Sequence, residues 1–190
     1  MKIKYPRAAA IAVAKELCDV LSPVCERLIV AGSLRRLKPS VGDVEILFVP
    51  RFETRCYDLI ESRPFNLTEQ AIAGLLCGGI LDKRKSSNGT VAWGQKNKLA
   101  VHVESGIPVD LFSAGNENWW NYLVCRTGPA ESNMRICNAA IAKGWKWTPY
   151  GPGFTKAGGG LSPGETYAVS SERDVFDFVG LPYLEPSQRH

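Results

Sequence analysis

Two acidic residues one position apart, Asp43 and Glu45, interrupt an apolar run, Val41-Gly-Asp-Val-Glu-Ile-Leu-Phe-Val-Pro50. In a strand, alternate side chains share a face, so Asp43 and Glu45 project to one side and Val44, Ile46 and Phe48 to the other. Two carboxylates on one face of an apolar strand are costly to bury unless a cation sits between them. A divalent metal meets that need, and hard Mg²⁺ or Mn²⁺ takes carboxylate oxygens, water and phosphate oxygens. A third acid, Asp110, stands in the strand-like run Pro108–Phe112, between Val109 and Leu111. Three such acids on neighbouring strands can hold two ions, one activating an attacking hydroxyl and one clamping leaving phosphate oxygens. The chain has 2 histidines, which makes a histidine general base a poor alternative.

Upstream lies Val30-Ala-Gly-Ser-Leu-Arg-Arg36. Gly32 and Ser33 at a helix start offer backbone N–H groups and a hydroxyl to a phosphate tail, and Gly32 permits close approach. Arg36, with Arg35 beside it, can neutralise charge that develops during phosphoryl transfer. A Gly-Ser turn, an Asp-x-Glu strand or a lone buried-strand aspartate is common by itself. Their succession, Gly-Ser, Arg-Arg, Gly42-Asp-x-Glu and then apolar-Asp-apolar, is what points to nucleotide chemistry.

These residues need elements to position them. Residues 6–21 read as an amphipathic helix opened by Pro6, with Ile11, Ala14, Leu17, Cys18 and Leu21 on one stripe. Strands are expected at Leu28–Ala31 and Asp43–Val49, with a short helical turn over Ser33–Leu37. A helix over Thr68–Cys77 ends at Gly78-Gly79. Residues 82–98 form a polar, basic turn joining strands near Thr90–Trp93 and Leu99–Val103. After Ser113-Ala-Gly115 the pattern becomes helical, over Glu117–Val124 and Glu131–Lys143. A strand at Lys146–Tyr150, a Gly-rich loop over 151–160 within a hairpin, and a closing helix over Ser171–Val179 complete the reading. The expected class is α+β, with a domain boundary near residue 115.

Composition fits a globular protein: 190 residues, 45% hydrophobic, 22% charged and a net charge of +4. That balance permits nucleic-acid binding without demanding it. The 6 cysteines contain no C-x-x-C, so zinc is disfavoured and buried reduced thiols are expected. No apolar run approaches the roughly 20 residues that cross a bilayer, and an intracellular protein, cytoplasmic or nucleoid-associated, is expected. No heptad pattern asks for a dimer, so a monomer is expected.

With these residues in place, the chain resembles family X DNA polymerases, the DNA polymerase beta group of nucleotidyltransferases. Gly32-Ser-Leu-Arg-Arg36, Gly42-Asp-Val-Glu45 and Val109-Asp-Leu111 are similar to the palm of that family. Thr127-Gly-Pro-Ala-Glu-Ser-Asn-Met-Arg135, Ala142-Lys-Gly-Trp-Lys-Trp-Thr-Pro-Tyr-Gly151 and Ser171–Pro186 resemble its thumb. The resemblance covers roughly residues 26–190. It implies a nucleotidyltransferase palm over 1–115, with a mixed sheet and flanking helices, and a smaller α+β thumb over 116–190. Only palm and thumb are expected, without an amino-terminal lyase domain or helix-hairpin-helix fingers, as in the shortest viral members.

The resemblance also implies roles. Asp43, Glu45 and Asp110 would be catalytic and hold two Mg²⁺ or Mn²⁺ ions, Asp110 also orienting a primer 3′-hydroxyl. Ser33 and Arg36 would hold the β- and γ-phosphates of a dNTP, with Gly32 and Gly42 in the same nucleotide-binding set. Thr127 and Gly128 would flank the sugar, Asn133 would reach the minor-groove edge of the base, and a cis Gly128–Pro129 bond is expected. Primer-template or gapped DNA would meet Lys83, Arg84, Lys85, Lys143 and Lys146, with Lys96, Lys98 and Lys156 as further phosphate contacts. The implied reaction is gap-filling DNA synthesis. Glu45 in place of the family's aspartate shifts the metals and favours Mn²⁺, and Cys125-Arg126 replaces an aromatic pair beside the sugar. Two alternatives stay open: a template-independent nucleotidyltransferase on RNA, single-stranded DNA ends or a protein, and a catalytically inactive DNA-end binding module.

Overall fold

The computed structural model describes residues 3–56, 62–86, 88–156 and 164–189. In chain order the first elements are β1 (Tyr5–Pro6), α1 (Arg7–Leu21), β2 (Cys25–Val30), α2 (Gly32–Arg35), β3 (Ser40–Val41) and β4 (Val44–Pro50). Next come β5 (Phe52–Cys56), β6 (Ser62–Asn66), α3 (Leu67–Cys77), β7 (Leu81–Lys83), β8 (Asn97–His102) and β9 (Pro108–Ser113). The chain continues through α4 (Trp119–Thr127), α5 (Ala130–Ala142), β10 (Lys146–Trp147), β11 (Gly153–Lys156), β12 (Glu165–Ala168) and α6 (Glu172–Val179). Two compact units result, residues 1–30 with 39–113, and residues 31–38 with 114–190. Among the described residues no helix is long and apolar enough to cross a membrane.

The first unit is organised by a five-stranded mixed sheet of order β2-β4-β9-β8-β7. β4 and β9 run parallel; the other neighbours are antiparallel. Val44, Ile46 and Phe48 are buried, as the alternation requires, but Leu47 and Val49 on the opposite face are buried too. At the start of the strand, Asp43 and Glu45 are half-buried. α1 buries Ala10, Val13, Ala14, Leu17 and Leu21. Ile11, expected on that stripe, is exposed, because a stripe through residues 10, 14, 17 and 21 leaves it about 100° away. α3 is capped by Asn66, whose side chain accepts from the Glu69 N–H at 3.0 Å.

Three other expectations change. The partner of β8 is β7, while residues near Thr90–Trp93 contribute only the isolated bridges Lys85↔Val91 and Trp93↔Lys98. Leu81 supplies the buried apolar contact that this polar segment lacks. The β5–β6 hairpin went unforeseen, since Phe52–Cys56 and Ser62–Asn66 are largely exposed and carry little apolar alternation. Cys56 and Cys77 are exposed rather than buried, although all 6 cysteines are free.

In the second unit, α4, α5 and α6 pack with the antiparallel sheet β10-β11-β12. Val124, Ile136, Ala140, Trp147, Phe154, Val175, Phe176 and Val179 form its core. The hairpin expected around the Gly-rich loop is β11–β12; residues 157–160 of that loop lie outside the described residues. β10 stops at Trp147 because Thr148–Gly151 turns, the Gly151 N–H donating to the Thr148 carbonyl at 2.9 Å. Asn121, fully buried, ties this turn to α4: its Nδ2 donates to the carbonyls of Thr148 (2.6 Å) and Gly151 (3.1 Å), and its Oδ1 accepts from Trp147 Nε1 (2.5 Å). α6 starts at Ser171, whose Oγ accepts from the Asp174 N–H, and ends at Gly180 in the left-handed region.

Hydrogen bonds from the Ser170 hydroxyl and backbone N–H hold the Asp174 carboxyl below the ordinary carboxylate range. A lowered folded-state pKa stabilises the protein above the unfolded value, about 4, and that contribution disappears as pH falls through the folded value. Asp174→Asn is therefore expected to flatten the acid limb of the melting-temperature profile, measured from pH 6 to pH 2. Asn121→Ala strands two carbonyls and the Trp147 indole, and is expected to lower stability by about 2–4 kcal/mol in urea titration.

Candidate active site

The acidic residues lie in the first unit. Asp43 immediately precedes β4, and Glu45 is in register with Asp110 across the parallel β4–β9 pair. Register partners project to the same side of a sheet, so Glu45 and Asp110 are neighbours and Asp43 follows on the same face. All three are half-buried between fully buried residues. The Asp110 carboxylate accepts a charge-assisted hydrogen bond from Arg84. Among the described residues no group of three or more His, Cys, Asp or Glu side chains is gathered to hold a metal ion. The donor chemistry nonetheless fits a hard divalent cation: oxygen ligands on one sheet face, with a cationic guanidinium already drawn to one of them.

The second unit carries the residues expected to bind phosphate. Gly32 adopts φ +60° at the start of α2, a backbone conformation that suits glycine. Ser33 Oγ is buried and has no hydrogen-bond partner among the described residues. A buried hydroxyl left unsatisfied is unusual and suits a site that awaits a ligand oxygen. Arg36 donates to the Thr127 carbonyl. Gly128 also has φ +60°, and a Cβ there would sit 3.3 Å from an Arg36 guanidinium nitrogen, so a side chain would crowd that contact. The Gly128–Pro129 bond is cis, as expected from the sequence. Asn133 Nδ2 donates to the Cys125 carbonyl at 2.8 Å, while its Oδ1 is buried without a partner among the described residues.

Sequence reasoning missed what holds this segment. Arg35 binds Glu172 through two parallel bonds of 2.8 and 2.7 Å and donates to Thr127 Oγ1 at 2.5 Å. Arg189, 1% exposed, donates to the same Glu172 carboxylate at 3.3 Å and lies over the rings of Phe176 and Tyr183. Glu172 thus joins α2, α6 and the last residues of the chain. In the sequence it read as an acid suited to a helix N-terminus, and nothing local named partners 137 and 17 residues away.

The basic residues expected to meet DNA are distributed differently. Lys83 and Lys85 are exposed, Lys83 lying over the Trp93 ring at 5.1 Å. Lys146 is exposed, and Lys143 donates to the Phe178 carbonyl at 2.7 Å. Lys98 corrects the sequence reading: 3% exposed, it pairs with Glu69 at 2.5 Å and donates to the Gly94 carbonyl, which makes it a structural lysine. Trp119 and Trp147 are buried core residues. Arg126, in place of the aromatic expected beside a sugar, lies over Tyr122 and donates to the Tyr150 hydroxyl at 2.9 Å.

Residues 122–190 match the DNA polymerase beta thumb family. This stretch is similar to the thumb of family X polymerases. Its fold is similar to that of Leishmania infantum polymerase beta in a ternary P/T complex, with a TM-score of 0.72 and 21% identity over 99% of this chain and 77% of that one. The ternary gap complex of the same protein matches with a TM-score of 0.72 and 21% identity, over 98% of this chain and 71% of that one. No curated protein matches in sequence.

Breaking a buried ion pair by removing one partner typically costs about 3–5 kcal/mol. Glu172→Gln leaves two guanidinium groups without their shared anion and is expected to destabilise the chain on that scale, read by urea denaturation. Arg35→Lys, which cannot keep both parallel bonds, is expected to cost less.

Proposed function

We propose that this chain is a DNA-directed DNA polymerase of the gap-filling type, transferring a dNMP from a dNTP to a primer 3′-hydroxyl with release of pyrophosphate. The observation that carries the reading is the thumb match over residues 122–190, joined to a sheet register that sets Glu45 beside Asp110. Asp43, Glu45 and Asp110 would hold two Mg²⁺ or Mn²⁺ ions. When bound, such ions lower the pKa of a coordinated hydroxyl and offset charge on phosphate oxygens.

The chain's own groups supply the rest. Ser33 Oγ, buried and unsatisfied, would donate to a phosphate oxygen, and the Arg36 guanidinium would add positive charge there. Glu172 keeps Arg35 fixed, so the turn that carries Ser33 and Arg36 is held ready rather than ordered on binding. Thr127 and Gly128 would border the sugar, and Gly42 gives Asp43 a neighbour without bulk. The free Oδ1 of Asn133 is an acceptor suited to a base edge, because its amide nitrogen is already committed to the Cys125 carbonyl. DNA would be held by Lys83, Lys85, Lys143 and Lys146 through phosphate contacts that weaken with salt. The protein would work as a monomer inside the cell.

Incubation with one-nucleotide-gapped DNA, four separate dNTPs and Mg²⁺ or Mn²⁺ is expected to give templated single-nucleotide extension. Untemplated addition would favour a template-independent transferase, and absence of extension with either metal would refute polymerase activity. Asp110→Ala is expected to reduce extension by at least a thousandfold, roughly 4 kcal/mol of barrier, while DNA affinity in a gel-shift titration changes by less than about threefold.

A further inference from the structure

The position of Arg84 follows from the sheet. β7 and β8 pair with Lys83 opposite Ala100, and the next backbone N–H, that of Arg84, donates to the Leu99 carbonyl at 3.0 Å. Leu99 is in register with Asp110, and Asp110 with Glu45. Arg84, Leu99, Asp110 and Glu45 therefore form one row across four strands, with side chains on a common face. Adjacent strands are about 4.8 Å apart, so Arg84 stands about 10 Å from Asp110 along the row and must reach over Leu99 to make its ion pair. The half-buried carboxylates of the acidic row attract such a cation.

The pairing is also incomplete. One guanidinium nitrogen binds Asp110, while Arg84 Nε is buried without an acceptor among the described residues. The side chain keeps 26% of its surface in contact with solvent, which leaves it a way out. A cation that satisfies Asp110 at the expense of one of its own donors is held less tightly than a fully bonded one.

We propose that Arg84 is the counter-cation of the acidic row, competing with a divalent metal for Asp110 and keeping that carboxylate occupied until metal displaces it. This rests on the reading of Asp43, Glu45 and Asp110 as metal ligands. The guanidinium and a divalent ion on the same carboxylate are like charges at close range, so each weakens binding of the other, and by linkage the effect is reciprocal. Arg84 is a positioning residue in this account, acting through Asp110 and not on substrate.

Mn²⁺ titration of the full chain, followed by the paramagnetic resonance signal of free Mn²⁺, tests the competition without requiring turnover. Arg84→Gln is expected to bind Mn²⁺ roughly tenfold more tightly than wild type, the usual scale of such coupling. Arg84→Lys keeps the charge and is expected to stay near wild type. Adding Asp110→Asn to Arg84→Gln is expected to abolish the gain. Arg84→Met, which preserves the aliphatic stem over Leu99, replaces the glutamine variant should that one fail to fold. Equal, measurable affinities in wild type and Arg84→Gln would overturn the competition alone. A gain that survives Asp110→Asn would place Arg84's influence elsewhere and also overturn it. Absence of Mn²⁺ binding in both proteins would overturn the carboxylate reading together with the proposal.

Discussion

The parallel register of β4 and β9 is the constraint on which the acidic half of this protein depends. Glu45 and Asp110 are far apart in sequence, and only the pairing Val44↔Val109 through Phe48↔Ser113 makes them neighbours. A slip of one residue would turn Asp110 to the opposite face and bring a buried apolar residue into its place. The register is secured by burial: Val44, Ile46, Leu47, Phe48, Val109, Leu111 and Phe112 all lie in the core. The acids occupy a stretch of this ladder that the core leaves half open. The same strands thus supply the core and place the carboxylates, with the apolar residues fixing where the carboxylates must stand.

A different principle governs the turn over residues 31–38. There, a short turn too small to be stable alone is held by charge. Arg35 is fixed by the parallel bonds to Glu172 and by Thr127, and Arg189 reinforces Glu172 from the end of the chain. Such buried ion networks add little net stability compared with apolar packing, but they impose geometry. The outcome is a turn whose Ser33 hydroxyl can be left unsatisfied without the local structure rearranging to satisfy it. Grouping residues 31–38 with the C-terminal unit is the structural expression of that network.

Arginine takes three distinct roles that composition could not separate. Arg35 is a fastener, Arg36 presents charge beside the Thr127 carbonyl, and Arg84 reaches across the sheet to Asp110. Lys98, one of the residues that read as a surface phosphate contact, is buried against Glu69. Local sequence gives charge but not the partner, and the partner decides whether a cation is structural or available to nucleic acid. This is why the acids were easier to place than the bases: Asp43 and Glu45 share a face through strand alternation alone, whereas each basic residue needed a tertiary contact to define its partner.

The sequence by itself determined the α+β class, the alternation of Asp43 and Glu45 at the start of β4 and most helix positions in the second unit. Each follows from short-range rules: period-two alternation, helical periodicity and capping. The cis Gly128–Pro129 bond was legible only through the family resemblance. The tertiary structure alone decided the β7 partner of β8, the exposure of Ile11, the burial of Lys98, the Arg35–Glu172–Arg189 network and the ion pair between Arg84 and Asp110. Those depend on strand order and register, which bring residues together according to the burial of whole faces, a quantity no local pattern contains.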